Sequence, residues 1–512
     1  MDIAQPFSDD TLNLALDTLK RGKQAIIFAN TKNSAEKTAE DIAKKLKDVT
    51  REELAQEALH ALSSPTKQCR RLYDCLRKGI AFHHSGLASK QRELIEDSFR
   101  ERKIAIIAAT PTLAAGLDLP AYRVILKDLR RFSARGLQYI PVLEYLQMAG
   151  RAGRPKFDTQ GEAIILASSE GQSDELIARY IHGKPEPIYS KLGAEPALRT
   201  YVLSLIATRV VRTRIQIQEF FAKTFFAHQY GDSSVLAAKI DATLAQLEEW
   251  EFLKGNASSE FRSAHDLLHG AYDATPLGAR VAELYIDPYT AHFFVEKLRQ
   301  AAERAVVDFA WLQVVSSTLE MRPLLRAGAK DHERMQEALV SYGDDLLEKE
   351  PSIYEDEYQG FLDSVKTALF FRDWTDEKNE EQLLESYNVR PGETRVKLAN
   401  AEWLLYSLEE LSRVLQFKQL IAPLRKVKMR VIHGVKEEVL PLLQLRGIGR
   451  ARGRKLFQNG IRDLKTIKDT DITTLSQLLG NAVAADVKRQ LGQEVAPVKE
   501  NKRKGQISLH DY

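Results

Sequence analysis

Short apolar runs alternate with stretches of helical spacing through the first 170 residues, and this alternation leaves the chain few folds to choose from. Gln24–Ala29 (QAIIFA) and Ile104–Ala109 (IAIIAA) read as short buried strands, and Val124–Leu126 and Ala163–Ala167 as two more. Ser34–Lys47 between them has the spacing of a helix. Strands that alternate with helices in this way favour a parallel sheet covered by helices.

After about Pro187 strand signals thin out and long amphipathic helices take over. Three helical stretches followed by short apolar runs at Phe252-Leu253 and Ala271-Tyr272 suggest a winged helix. The next region is helical and punctuated by Pro323, Pro351, Pro391 and Pro423. A small helical piece follows, then a basic, polar tail expected to be disordered. With 512 residues the chain has room for roughly three or four domains. The expected fold class is multidomain α/β plus α. Its expected divisions are a lobe with a parallel sheet at 1–187, a winged helix at 188–287, a helical domain at 288–435, a small helical domain at 436–495 and a tail at 496–512.

Composition excludes several classes. Two cysteines, Cys69 and Cys75, cannot build a disulfide framework or a metal site by themselves. No apolar run reaches the roughly 18 residues of a membrane span. The acidic, polar start MDIAQPFSDD is no secretory signal, so a soluble, cytoplasmic protein is expected. The net charge is only +3, so any nucleic-acid binding must come from local clusters.

Four segments carry chemistry. In Gln147-Met-Ala-Gly-Arg-Ala-Gly-Arg-Pro155, two arginines three residues apart share a helix face, and each offers a planar fork suited to phosphate oxygens. Ala109-Thr-Pro-Thr-Leu-Ala-Ala-Gly-Leu-Asp-Leu-Pro120 leaves a buried strand at its C-terminal end, where α/β sheets bind ligands. Phe28-Ala-Asn-Thr-Lys32 closes the first strand before a helix; Asn-Thr there is also a common helix cap. His83-His-Ser-Gly86 has no further ligand at metal spacing, so zinc is rejected. No G-x-x-x-x-G-K-[ST] occurs: Gly22-Lys23 is followed by Gln24 and Gly183-Lys184 by Pro185. Asp174-Glu175 follows a polar loop, reads as the start of a helix and makes no DExH box.

In order and spacing, these segments resemble motifs VI, V, IV and IVa of superfamily-two helicases, in particular the archaeal Ski2-like (Hjm-type) ATP-dependent DNA helicases. The resemblance covers the chain beyond the first lobe and implies a RecA-like second lobe. It implies that Gln147, Arg151 and Arg154 reach the triphosphate of ATP, one arginine acting as a finger on the γ-phosphate. Gly116 and Asp118 would lie toward ATP, although many relatives have Asn where this chain has Asp118. Thr31, Lys32, Thr110 and Thr112 would contact the nucleic-acid strand. A β-hairpin between motifs V and VI would part the duplex, with Phe132 or Tyr139 stacking on the last base pair and Arg131 on phosphate.

The domain at 288–435 resembles the ratchet domain of these helicases. Glu393–Gln416 is expected to be one long helix, with Trp403 stacking a base and Arg395 nearby on phosphate. Relatives carry arginine seven residues before that tryptophan, where this chain has Val396. Trp374 is expected in the core. Leu445–Leu456 reads as a helix-hairpin-helix: Gly447 and Gly449 allow a tight turn whose N–H groups face phosphate, flanked by Arg446, Arg450 and Arg452. Between Arg425 and Lys455 there are ten Lys/Arg against two acids, so binding should be to backbone and salt-sensitive. At the end of the chain, Gln506, Leu509 and Tyr512 resemble a sliding-clamp (PCNA) interaction peptide.

The leading expectation is therefore the DNA-binding and ATP-coupling part of a 3′–5′ DNA helicase acting on forked or stalled-replication DNA. ATP and Mg²⁺ would be shared with an N-terminal P-loop lobe that this sequence lacks, supplied in trans if it exists. The alternatives are a non-catalytic fork- or clamp-binding adaptor and a Ski2-like RNA helicase.

Overall fold

A computed structural model describes residues 3–46, 51–62, 64–114, 119–133, 136–153, 158, 160–231, 233–255 and 271–493. The chain divides into two compact units: Met1–Tyr189 with Asn379–Val396, and Ser190–Lys378 with Lys397–Tyr512.

The first unit runs α1 (Asp10–Lys20), β1 (Ala25–Phe28), α2 (Lys32–Lys44), α3 (Glu52–Leu59), α4 (Lys67–Leu76), β2 (Ile80–His83), α5 (Ser89–Arg100), β3 (Ile106–Ala109) and β4 (Arg123–Leu126). A hairpin follows, β5 (Arg130–Ser133) and β6 (Gly136–Tyr139), then α6 (Val142–Ala149), β7 (Glu162–Ile165) and α7 (Glu170–Leu176). Five strands form one parallel sheet in the order β2-β3-β1-β4-β7, with Ile27 opposite both Ala108 and Ile125. Every residue of β1 to β4 is buried, as expected for strands covered on both faces, while β7 at the edge is only half-buried.

The expected strands are present and one more, β2, joins them. Its Ile-Ala-Phe-His pattern places a histidine inside the sheet, and the side chain is accommodated because Nε2 of His83 meets Glu96 Oε1 at 2.9 Å. Helix α7 begins at Glu170, capped by the Ser169 hydroxyl, so Asp174 and Glu175 sit inside it rather than at its start.

The second unit opens with α8 (Glu195–Ala207), α9 (Arg214–Ala222), α10 (Phe225–Tyr230) and α11 (Ser233–Glu249). The expected three helical stretches are thus four, because Lys223-Thr224 breaks the apolar run and Thr224 caps a new helix. Strands β8 (Leu253–Gly255) and β9 (Tyr272–Ala274) pair antiparallel. Then come α12 (Pro276–Leu284), α13 (Pro288–Ala301), α14 (Asp308–Ser316), α15 (His332–Tyr342) and α16 (Glu357–Thr375). The chain rejoins the first unit through α17 (Glu380–Tyr387) and the first turn of α18 (Pro391–Val414). The second unit resumes with the rest of α18 and α19 (Lys418–His433). A 3₁₀ stretch at Glu437–Gln444 leads to α20 (Arg450–Gln458), α21 (Leu464–Asp469), α22 (Ile472–Leu479) and α23 (Asn481–Gln490). These last elements close over their own core of Leu442, Leu456, Ile467, Leu475 and Val487. Trp374 is buried as expected, its Nε1–H donating to the Val431 carbonyl at 2.7 Å. Among the described residues no helix is long and apolar enough to cross a membrane.

Candidate functional site

The parallel sheet turns its C-terminal edge toward an open cleft of about 690 Å³. Three of its segments come from the ends of neighbouring strands. β1 ends in Asn30-Thr31-Lys32, where the Thr31 hydroxyl accepts the Ser34 N–H at 3.1 Å and starts α2. β2 ends near Ser85, and β3 ends in Thr110-Pro111-Thr112, whose two threonine hydroxyls lie 2.8 Å apart. Arg131 of β5 and Gln147 of α6 complete the wall. Thr31, Lys32, Thr110, Thr112, Arg131 and Gln147, which lie far apart in sequence, thus line one surface.

Both cations of the cleft already hold a carboxylate. Lys32 pairs with Glu393, and Arg131 Nη1 donates to Glu144 Oε2 at 2.8 Å. Both pairs are partly exposed, the class of ion pair worth about 0–1 kcal/mol. A phosphate group can displace such a partner at little cost. Glu144 and Ser85 were not picked out from the sequence; the signal for Glu144 was its position three residues before Gln147 on the same helix face.

Arg151 follows α6. Its Nη2 donates to the Ala114 carbonyl, while Nε is buried and has no hydrogen-bond partner among the described residues. A buried guanidinium edge with an unused donor fits an anionic group such as a phosphate. Its loop is pinned by two backbone bonds, Ala121 N–H to Arg151 O at 2.9 Å and Gly153 N–H to Ala121 O at 2.7 Å. Gly153 has φ +88°, and a Cβ on Gly161 would meet the Gly153 nitrogen at 2.3 Å, so the two backbones need the missing side chains to approach. Gly116, Asp118 and Arg154 lie outside the described residues, as does the Phe132 side chain. Among the described residues no His, Cys, Asp and Glu are grouped to hold a metal ion.

Tyr139, one of the two stacking candidates, is half-buried. The guanidinium carbons of Arg130 and Arg179 lie 4.5 and 4.6 Å from its ring centre. Its hydroxyl accepts from Arg130 Nη2 at 2.5 Å and donates to Glu175 at 2.9 Å. The ring is held by protein groups, because the hairpin folds back on α7 and offers cations to a π face.

The His83-His84 segment has a structural partner. The buried Glu36 carboxylate accepts from His84 Nε2 at 3.0 Å, Gln68 Nε2 at 2.9 Å, Arg71 Nη1 at 2.5 Å and Arg390 Nε at 3.1 Å. Burial alone would raise its pKa, but the hydrogen bonds from His84 and Arg390 hold it down at about 2. Burial lowers the pKa of His84, against the hydrogen bond to Glu36. His84 Nδ1 accepts the Gly86 N–H at 3.1 Å, so the ring is neutral with its proton on Nε2.

Arg395, on the first turns of α18 that belong to the first unit, is exposed; Trp403, in the second unit, is half-buried, with its Nε1–H donating to the Leu284 carbonyl at 2.9 Å. Val396, seven residues before Trp403, is 61% exposed. In the Leu445–Gly449 turn, Gly447 has φ +84° and Gly449 precedes the first residue of α20. The Arg446 backbone is tied to Gln490 by two bonds of 2.8 and 3.0 Å. Arg446 and Arg452 are exposed. Arg450 is not: it lies 4.8 Å over the Trp374 ring and donates to the Lys378 carbonyl at 2.8 Å. Unlike Arg446 and Arg452, Arg450 is engaged within the fold, since Trp374 offers it a π face. Gln506, Leu509 and Tyr512 lie outside the described residues.

Comparison with known proteins gives this geometry its context. Residues 9–156 match the helicase conserved C-terminal domain, 161–254 a helix-turn-helix domain and 309–434 the archaeal helicase domain 4. The chain is 38% identical over 504 residues to the ATP-dependent DNA helicase Hel308 of Pyrococcus horikoshii, covering 97% of this chain and 68% of that protein. The Hel308 of Methanocella arvoryzae is 38% identical over 499 residues (95% of this chain, 65% of that protein), and that of Pyrococcus abyssi 37% over 501 (96% and 67%). This chain belongs to the Hel308 family. It spans about two thirds of the length of these Hel308 relatives. The helicase C-terminal match covers the sheet through β4 and continues to the Arg151 loop, so the cleft lies within it. The helix-turn-helix match runs from the loop before β7 to β8, and the archaeal helicase domain-4 match spans α14 to α19 with Trp403.

Proposed function

We propose that this chain is the DNA-binding and ATP-coupling part of a 3′–5′ ATP-dependent DNA helicase that acts on forked DNA in repair, and that ATP hydrolysis needs a P-loop lobe beside it. The observation that carries the reading is the joint placement of Thr31, Lys32, Thr110 and Thr112 along one cleft at the C-terminal edge of a parallel sheet. Hydroxyls and a lysine at such an edge suit a phosphodiester backbone more than base edges, so binding is to strand rather than to sequence.

ATP, when bound with Mg²⁺ between this lobe and a P-loop lobe, supplies the free energy of phosphoryl transfer. Arg151 and Arg154 offer guanidinium groups to its phosphates from this side, together with Gln147. The spare Nε donor of Arg151 supports that role. Trp403 and Arg395 hold the strand in a ratchet domain at 288–435. The Leu445–Gly449 turn, with Arg446 and Arg452, binds backbone as a helix-hairpin-helix. A winged helix lies at 188–287. The peptide around Gln506, Leu509 and Tyr512 docks a sliding clamp.

The test is reconstitution. This chain is combined with the P-loop lobe of a Hel308 relative, and ATP turnover and unwinding of a 3′-tailed fork are measured. Arg151→Ala should lower turnover about 10³-fold while fork binding is kept. Equal turnover with and without Arg151 would overturn the motor reading in favour of an adaptor. Tighter binding to an RNA fork than to the DNA fork would turn it toward RNA.

A further inference from the structure

On α18, Glu409 is a buried carboxylate, 3% exposed, that collects three cations. It accepts from Arg413 Nη2 at 2.6 Å, Arg425 Nε at 3.0 Å and Nη2 at 2.8 Å, and Lys428 Nζ at 2.7 Å. Burial alone would raise its pKa, yet the hydrogen bonds from Lys428, Arg425 and Arg413 keep it at about 2. The carboxylate is therefore charged at any working pH, and three positive charges surround one negative. Glu410 takes a further edge of Arg413 at 3.2 Å but is shared with Arg280 at 2.6 Å.

The cations are anchored without being hidden. The Arg425 side chain is 55% exposed and that of Arg413 42%. Arg425 spends Nε and Nη2 on Glu409, which fixes the plane of its fork and leaves Nη1 without a bond to any described group. Such an anchored, half-solvated guanidinium loses little entropy when it takes a phosphate oxygen.

The surplus continues along α19, which holds Lys418, Arg425, Lys426, Lys428 and Arg430 and no acid. Lys426 and Arg430 are neutralised by Asp308, Asp376 and Glu437. Lys418 is exposed and has no ion pair among the described residues. It lies two helical turns before Arg425 and so shares its face. On α18, Trp403, Tyr406, Glu410 and Arg413 follow one another at helical spacing on one stripe. Arg413 is ~15 Å along the axis from Trp403. Tyr406 between them is 39% exposed, with Lys428 Nζ 5.1 Å from its ring centre.

We propose that Lys418, Arg425 and Arg413 form a phosphate-contacting surface for the backbone of a single DNA strand, continuing the stripe that begins at Trp403. The proposal rests on the DNA-binding reading above and adds a contact site to it. The surface reads charge spacing, not bases, and it serves to hold the strand beyond the stacking residue.

The experiment uses the full chain, a fluorescent oligothymidylate and anisotropy titrations over a series of salt concentrations. Lys418→Gln, Arg413→Gln and Arg425→Gln are compared singly and combined, with Arg446→Gln/Arg452→Gln as a second-site control and circular dichroism as the fold check. Each lost phosphate contact should flatten the slope of log affinity against log salt by about 0.7, and the triple variant by about 2. Lys418→Gln breaks no ion pair among the described residues, so a flatter slope with an unchanged circular dichroism spectrum reports a lost phosphate contact. If the control pair flattens the slope and the triple variant keeps the wild-type slope, this surface is wrong and the DNA-binding reading stands. If the wild-type chain shows no salt-dependent binding at all, the broader reading fails and takes this one with it.

Discussion

The neutral His84 ring and the ionised Glu36 share one buried hydrogen bond, and both pKa values are depressed in the fold. The unfolded chain therefore binds more protons than the folded one wherever either group titrates, and stability falls as pH falls. The His84 contribution is complete above its ordinary value of about 6.5 and is lost below it. The Glu36 contribution is lost from its ordinary value of about 4.5 downward, toward the folded value of about 2. Urea midpoints measured from pH 7 down to pH 4 should decline, and His84→Asn should flatten the upper part of that decline. An unchanged profile in the variant would contradict the assignment of His84. A second buried charge is Arg123, which opens β4 and is fully buried. It donates to Glu162, Asp17, Thr18 and the Leu14 carbonyl, tying the sheet to α1. Arg123→Ala should cost about 3 kcal/mol in denaturant unfolding, because it breaks a buried network that ties two carboxylates, a hydroxyl and a carbonyl to one cation. Nothing in the sequence marked this arginine, since its partners lie about 100 residues earlier and about 40 later.

Among the elements, strands with unbroken apolar runs were readable one by one, while β2 escaped because its pattern ends in histidine. The cross-element bond from His83 to Glu96 on α5 makes that strand tolerable, and no local pattern encodes it. Hairpin β5–β6 was placed correctly between the two flanking segments, yet Tyr139 is enclosed by Arg130, Arg179 and Glu175. The turn before α20 separates conformational from functional need. Gly447 has φ +84°, so Gly447→Ala should lower thermal stability, by about 1 kcal/mol. Gly449 has an ordinary φ, and nothing lies within 4 Å of the position its Cβ would take, so Gly449→Ala should leave the melting temperature unchanged. If the turn approaches a phosphate as proposed, Gly449→Ala weakens duplex binding all the same. Loss of stability without loss of binding would show that the turn is only a structural corner.

For the molecule as a whole, a net charge of +3 conceals strongly uneven local charge. In the cleft, Glu144 competes for Arg131 and Glu393 for Lys32. Glu144→Gln should strengthen binding of a single-stranded oligonucleotide up to about fivefold at low salt, the size of an exposed ion pair. The gain should fade as salt is raised; weaker binding would mean that Glu144 positions the arginine rather than competing with a strand. Sequence by itself determined the parallel-sheet lobe, the helical remainder and the family, because buried strands need continuous apolar runs and because the arginine- and threonine-bearing segments keep a fixed order. It also determined which types of residue would lie at the sheet edge. Only the tertiary structure decided which cations are already spent: Arg450 on Trp374, Arg131 on Glu144, and Arg425 held open by Glu409. The physical reason is that a charge is satisfied by whatever partner is near in space, and those partners are brought together by the packing of elements far apart along the chain.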